Sequence, residues 1–168
     1  MRYRFVIVTV SDTRAATEQD RSGPLAEELL EAMGMTSTGF RMGTSDDADL
    51  ISSTLREAAS KADLVVTTGG TGLGPRDVTP EATRVVVERE VPGLAELMRA
   101  EGTKHTPMAA LSRAVVGTLG ASLIVNLPGN PKAVKEGLDA LRPVIRHALD
   151  TLHGDTAHGD SAHGKEAT

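Results

Sequence analysis

Two hydrophobic periods alternate along the first part of the chain. Arg4–Val10 is rich in β-branched residues and predicts a buried strand. Leu25, Leu29 and Met33, with Leu30 broadening the face, then mark a helix that starts at Ser22-Gly23-Pro24 and stops at Gly34. Thr36–Gly43 reads as a second, weaker strand. Leu50, Ile51, Leu55, Ala58 and Ala59 form an amphipathic helix ending near Lys61, with Ser45 as a candidate cap. Asp63–Thr68 is the third strand. Three strand–helix alternations predict βαβ units, a parallel sheet and right-handed crossovers.

The pattern continues past a glycine loop. Glu81–Glu90 reads as a helix despite Val85-Val86-Val87, with Thr79 as its cap and Pro80 at its first position. Leu94, Leu97 and Met98 mark a short helix, Gly102–Pro107 a loop, and Met108–Leu111 a helical turn. Ala114–Leu119 and Ser122–Leu127 are strand-like runs joined by Gly120-Ala121, a link that predicts a hairpin and one antiparallel strand. Asn130-Pro131 caps a last helix carrying Val134, Leu138, Leu141 and Ile145, with Pro143 expected to kink or shorten it. The expected fold is α/β, a three-layer sandwich around a mostly parallel sheet with one antiparallel strand.

Composition narrows the chemistry. The chain has 168 residues, enough for one domain with a core, and no cysteine, which excludes disulfides, thiolate chemistry and cysteine zinc sites. Two Phe, one Tyr and no Trp make the core aliphatic and leave little for stacking on bases. The net charge of −5, with no basic stripe, argues further against a nucleic-acid partner. No apolar run reaches membrane-spanning length. The N-terminal run is broken by Ser11-Asp12 and lacks a small-residue cleavage site, so a first strand is expected there rather than a signal peptide, and the cytoplasm is the expected compartment. Residues 153–168 repeat HGDTA, HGDSA, HGKEA and are expected to form a disordered tail after a domain of residues 1–152.

Candidate chemistry gathers at the strand ends. Thr67–Thr83 (TTGGTGLGPRDVTPEAT) places Gly69, Gly70, Gly72 and Gly74 between a strand and a helix. Such a loop either cradles a phosphate with its amides or uses glycine for a tight turn. It has neither the G-K-[ST] ending of a P-loop nor the third glycine of a dinucleotide fingerprint. Ser11 and Asp12 close the first strand, as a turn or as ligand groups. Asp46, Asp47 and Asp49 fall in a helix's first turn, where they either complement the dipole or supply a carboxylate for a divalent cation. Lys132 sits in the first turn of the last helix, a surface cation or an anion partner.

With these residues in hand the chain resembles the MogA/MoaB family of molybdenum cofactor biosynthesis, related to the G domain of gephyrin. Thr68–Pro80 (TGGTGLGPRDVTP), Leu127–Lys132 (LPGNPK) and Ser112-Arg113 carry the resemblance, which spans roughly residues 2–152. It implies adenylylation of molybdopterin by Mg-ATP with release of pyrophosphate, a homo-oligomer (a trimer or a hexamer), and delivery to a molybdate-insertion protein. Asp77 matches the family's aspartate after the glycine loop. Asp46 matches its second aspartate, with Ser45 where a proline is usual, so the choice between Asp46 and Asp47 stays open. By the same resemblance Asp46 and Asp77 would place Mg²⁺. Ser11, Asp12, Gly69, Gly70, Thr71 and Gly72 would meet the nucleotide or phosphate, while Ser112, Arg113, Pro128, Gly129, Asn130 and Lys132 would meet molybdopterin. The alternative is a MoaB-type protein that binds molybdopterin without catalysis.

Overall fold

Side-chain alternation along the strands divides the interior into two cores. In the computed structural model, which describes residues 2–11 and 19–155, six strands form one sheet in the order β2–β1–β3–β6–β5–β4. They are β1 Arg4–Val10, β2 Thr36–Thr44, β3 Leu64–Thr68, β4 Arg89–Glu90, β5 Val116–Leu119 and β6 Ser122–Leu127. Phe5, Ile7, Leu64, Val66, Leu123, Val125 and Leu127 point to one face. There they meet α1 Ser22–Ala32, α4 Pro92–His105, α5 Pro131–Leu141 and α6 Ile145–Leu152. Val6, Val8, Val10, Val65 and Ile124 point to the other face, against α2 Ala48–Ala59 and α3 Thr79–Val86. Strands buried on both faces read as unbroken apolar runs, which is why β1, β3 and β6 are recognisable from sequence. The core is aliphatic, as the composition requires, and each fully buried Leu or Ile contributes about 1.5–3 kcal/mol.

The expected three-layer α/β architecture is present. Strands β2, β1, β3 and β6 are mutually parallel. β5 runs against both β6 and β4, so it is the one reversed strand of the sheet among the described residues. The hairpin between β5 and β6 turns at Gly120, whose φ of 54° suits a tight reversal. Pro143 divides the last helical stretch into α5 and α6.

Four local expectations are corrected. The helix predicted over Glu81–Glu90 ends at Val86, and Val87 is already extended (φ −72°, ψ 142°). Glu88 and Val91 donate instead to Thr118 and Val116, both at 2.7 Å, so the sheet edge satisfies the backbone where a β-branched run resists helix. α4 continues to His105 through the predicted loop; a Cβ on Gly102 would lie 2.8 Å from that of Ala109, so this helix glycine serves close packing. α2 is capped by Asp47, which accepts from Asp49 N and Leu50 N at 3.0 and 2.9 Å, and not by Ser45. Thr79 does not cap α3; its hydroxyl donates to Gly69 O at 3.0 Å.

Of the predicted tail, residues 156–168 lie outside the described residues. His153, assigned to its start, instead packs against Tyr3, the ring centroids 5.3 Å apart and the planes tilted by 47°. Among the described residues no helix is long and apolar enough to cross a membrane.

Candidate functional site

The site lies where the topology opens a crevice. β1 is followed on one side by β2 and on the other by β3, and the carboxyl ends of such a pair leave room between their diverging loops. The glycine loop leaves β3 here. Gly69 and Gly70 take φ values of 101° and 68°, and a Cβ on Gly70 would meet Thr79 Oγ1 at 2.2 Å. Only glycine accommodates both the left-handed backbone and this approach. The strand–loop–helix junction after β6 touches the same loop. Gly69 N donates to Leu127 O at 3.0 Å, and Ser22 Oγ donates to Gly129 O at 2.8 Å.

The two junctions, with α4, the 3-10 turn Pro107–Leu111 and α5, enclose a cavity of about 500 Å³. That volume falls in the range of small-molecule sites. Its lining combines polar groups, Gly69–Gly72, Asp77, Ser112, Asn130 and Lys132, with the apolar side chains of Met98, Met108, Leu111, Ala95 and Ala114. The cavity therefore suits a ligand that carries both an anionic group and an apolar body.

Most predicted residues converge on this cavity: Gly69, Gly70, Thr71, Gly72, Asp77, Ser112, Pro128, Gly129, Asn130 and Lys132 all line it. Three details differ from expectation. The Gly69 amide is committed to Leu127 O, so the amides able to meet an anion are those of Gly70, Thr71 and Gly72, which have no acceptor among the described residues. Asn130 caps α5, its Oδ1 accepting from Lys132 N at 2.8 Å, which leaves its NH₂ as donor. Arg113, read as a molybdopterin ligand, turns its guanidinium into the glycine loop. Nε donates to Gly72 O at 2.7 Å, Nη2 to Asp77 O at 2.5 Å, and Nη1 to the Glu81 carboxylate. Its amide donates to Thr71 O at 2.9 Å. Burial pushes the Glu81 carboxyl up, but the Arg113 hydrogen bond and charge outweigh it and hold the group below its ordinary 4.5.

Asp46 and Asp77 form a second focus beside the cavity. Asp77 Oδ2 accepts from Gly74 N at 2.9 Å, and Gly72 and Gly74 pass so close that a Cβ on either would meet that oxygen. Asp46 has its side chain only 17% exposed, and Arg76 Nη2 stands 3.5 Å from its Oδ2. Burial raises the Asp46 carboxyl above its ordinary 3.8, and the neighbouring Asp77 charge raises it further. Asp47, by contrast, spends its carboxylate on the cap of α2. Of the two candidates, Asp46 is thus the one whose carboxyl feels the Asp77 charge and is not spent on the α2 cap. Two neighbouring carboxylates whose like charges repel fit a small divalent cation that completes its shell with substrate phosphates. Ser11 lies at the end of β1, its amide donating to Thr44 O at 3.0 Å, on the Asp46 side and not in the cavity lining. Asp12 lies outside the described residues.

Sequence reading missed three lining residues, Glu136, Gly137 and Arg99. Glu136, one helical turn after Lys132, lines the cavity with Oε1 shielded from water and no hydrogen-bond donor within range. Lys132 Nζ and His105 Nδ1 flank that oxygen at 3.7 and 3.9 Å. The i, i+4 spacing from Lys132 was the available signal. Gly137, isolated inside a helical pattern, was another: a Cβ there would lie 2.9 Å from Leu127 Cδ2. Arg99, which lines the cavity while donating to Ala114 O at 3.2 Å, carried no signal.

Known proteins are similar to this chain in sequence and fold. Residues 6–147 match the family described as "Probable molybdopterin binding domain". The chain is 41% identical over 140 residues to a molybdopterin adenylyltransferase of Helicobacter pylori J99, covering 82% of this chain and 80% of that one. It is 40% identical over 154 residues to the molybdenum cofactor synthesis protein cinnamon of Drosophila melanogaster, but spans only 26% of that protein's length. The crystal structure of the molybdopterin biosynthesis enzyme MoaB from Thermus thermophilus superposes with a TM-score of 0.82 at 47% identity, covering 90% of this chain and 97% of that one.

Proposed function

The chain belongs to the molybdopterin-binding domain family, and from that premise we propose that it adenylylates molybdopterin. In this reading an oxygen of the terminal phosphate of molybdopterin forms a bond to the α-phosphorus of ATP. The bond from that phosphorus to the oxygen bridging it to the β-phosphate breaks, and pyrophosphate leaves. The adenylyltransferase names of relatives near 40% identity support the reaction. The observation that carries it is the meeting of one cavity with one carboxylate pair: Asp77 lines the cavity, and its charge raises the Asp46 carboxyl.

Both reactants are anions, so the protein's task is positioning and charge neutralisation. The cavity holds molybdopterin, its phosphate toward Gly70–Gly72, Ser112, Asn130 and Lys132 and its pterin toward the Met98–Met108 wall. ATP would lie on the β1–β2 side, by Ser11. Asp46 and Asp77 would hold Mg²⁺, which would supply charge neutralisation for the phosphate groups. Neither carboxylate acts as a base, because a phosphate monoester is already ionised near neutral pH. Arg113 is a positioning residue that holds the loop carbonyls of Gly72 and Asp77, so that the adjoining amides face the phosphate. The product passes to a molybdate-insertion protein. The chain works as a homo-oligomer, a trimer or a hexamer, which would cover exposed side chains such as Phe40 and Val85.

The test is pyrophosphate release from Mg-ATP with and without molybdopterin. Wild type should show molybdopterin-dependent release, and Asp77→Asn should lose roughly 100-fold or more, the scale of removing a charge-positioning group. Tight molybdopterin binding with no release would assign the chain to the carrier class instead. Sedimentation velocity checks the assembly.

A further inference from the structure

We propose that Glu136 reads the ring of the ligand: its carboxylate accepts from a ring N–H and an adjacent amino group, the pair of donors that a pterin carries on one edge. The inference rests on the adenylylation reading and adds the residue that recognises the heterocycle. Glu136 lines the cavity from α5. The next residue, Gly137, brings α5 against α4: a Cβ there would lie 3.5 Å from Met98 Sδ, so Glu136 stands where α5 meets the apolar lining. Its side chain is 13% exposed, and Oε1 is shielded from water with no hydrogen-bond partner among the described residues. Leaving a buried acceptor unpaired is costly, the more so for a charged group. Such an orphan in a cavity wall is accounted for when the ligand brings the donor.

The neighbouring side chains do not supply that donor. Lys132 Nζ and His105 Nδ1 stand 3.7 and 3.9 Å from Oε1, beyond hydrogen-bond reach. Lys132 thus places positive charge beside the carboxylate without filling its lone pairs. An ionised carboxylate only accepts, and its two oxygens lie side by side, so its complement is a pair of parallel N–H donors. The last torsion of a glutamate is broad and two-fold, which lets the carboxylate turn to meet such a pair at little cost. Two carboxylates line the cavity, Asp77 and Glu136. Asp77 already accepts from Gly74 N at 2.9 Å, and Ser112, Asn130 and Lys132 bring donors that suit the anionic part of the ligand. Glu136 is the carboxylate left to the ring.

The test measures binding, without turnover, of two unphosphorylated heterocycles to wild type, Glu136→Gln and Lys132→Met near neutral pH. Pterin carries both donors. Lumazine has a carbonyl in place of the amino group and would set an acceptor against the carboxylate. Wild type should bind pterin about 10- to 100-fold more tightly than lumazine, the scale of one hydrogen bond to a charged group. Glutamine keeps the shape and offers one acceptor and one donor. Glu136→Gln should therefore bring the two ligands to parity or reverse their order, by gaining lumazine affinity as well as losing pterin affinity. A misfolded variant gains neither, so the gain separates recognition from damage. Lys132→Met should keep the pterin preference. Equal affinities in wild type, a pterin preference unchanged in Glu136→Gln, or no pterin binding at its solubility limit would overturn the proposal. So would a Glu136→Gln that loses only affinity for inorganic phosphate, because Glu136 would then be a positioning residue for Lys132. Guanosine carries the same donor pair, and tighter binding of guanosine than of pterin, with the same dependence on Glu136, would overturn the pterin assignment. Failure of the adenylylation reading shows separately, as absent pyrophosphate release with the pterin preference intact.

Discussion

Arg113→Met separates two roles for one arginine. If Arg113 holds the glycine loop, the change removes three charge-assisted hydrogen bonds, to Gly72 O, Asp77 O and the Glu81 carboxylate. Each would be worth about 1.5–3 kcal/mol if fully enclosed. The side chain is 31% exposed, and water entering from the cavity can replace donors to the freed carbonyls, so the net loss should be nearer ~2–3 kcal/mol in total. For a chain of this length that lowers the melting midpoint by about 4–12 °C. Protection of the hydrogen-bonded loop amides should fall more visibly, since they open locally: by about 30- to 150-fold in hydrogen exchange for Gly74, Asp77 and Thr79, whose amides donate to Asp77 Oδ2, Gly74 O and Gly70 O. Arg113→Lys should recover little, because an ammonium cannot serve three partners in a plane. Exchange mass spectrometry and calorimetry measure both effects on the ligand-free protein. The reasoning fails if stability and exchange match wild type while the KM for molybdopterin rises at constant kcat, because Arg113 would then be a ligand contact.

Other outcomes follow from the same geometry. Asp46→Asn should raise the melting midpoint of metal-free protein by about 1–3 °C, relieving burial and repulsion worth up to roughly 1 kcal/mol, while abolishing Mg²⁺ binding in titration calorimetry. Asn126→Leu should cost about 3–5 kcal/mol in urea unfolding, since the fully buried carboxamide accepts from Val115 N at 3.1 Å and donates to Thr67 and Thr83 hydroxyls at 3.1 and 2.9 Å. Burial, and then the 2.6 Å hydrogen bond to Asp150, push the Tyr3 hydroxyl from 10.0 up to about 12. A raised folded value adds stability below pH 10 that disappears as pH climbs through 12, so wild type should lose stability across that window and Tyr3→Phe should lack this component. Glu81 is held low, so its contact with Arg113 persists above pH 4.5 and weakens on acidification below it; Glu81→Gln should flatten that acid limb in melting curves.

What the chain determined alone is what short-range rules can carry. β1, β3 and β6 are apolar because both faces of a central parallel strand are covered, and that requirement is written into consecutive residues. Asn130-Pro131 specifies the start of α5 because capping and the first helical φ involve neighbours only. The glycine pattern after β3, Ser112 and the 127–132 junction told which segments would meet. Only the tertiary structure decided what individual groups do there. α3 stops at Val86 because a distant strand, β5, offers its edge to Glu88 and Val91. Adjacent Asp46 and Asp47 are alike in sequence, yet Asp47 caps its own helix while Asp46 lies against Arg76 of the glycine loop and feels the Asp77 charge. Arg113 hydrogen-bonds the glycine loop and α3 because Gly72, Asp77 and Glu81, 32 to 41 residues away in sequence, present acceptors to it. Local propensity is a property of a few consecutive residues. The partner of a long charged side chain is set by whichever segments the fold brings within a few ångströms, and no short stretch of sequence encodes that.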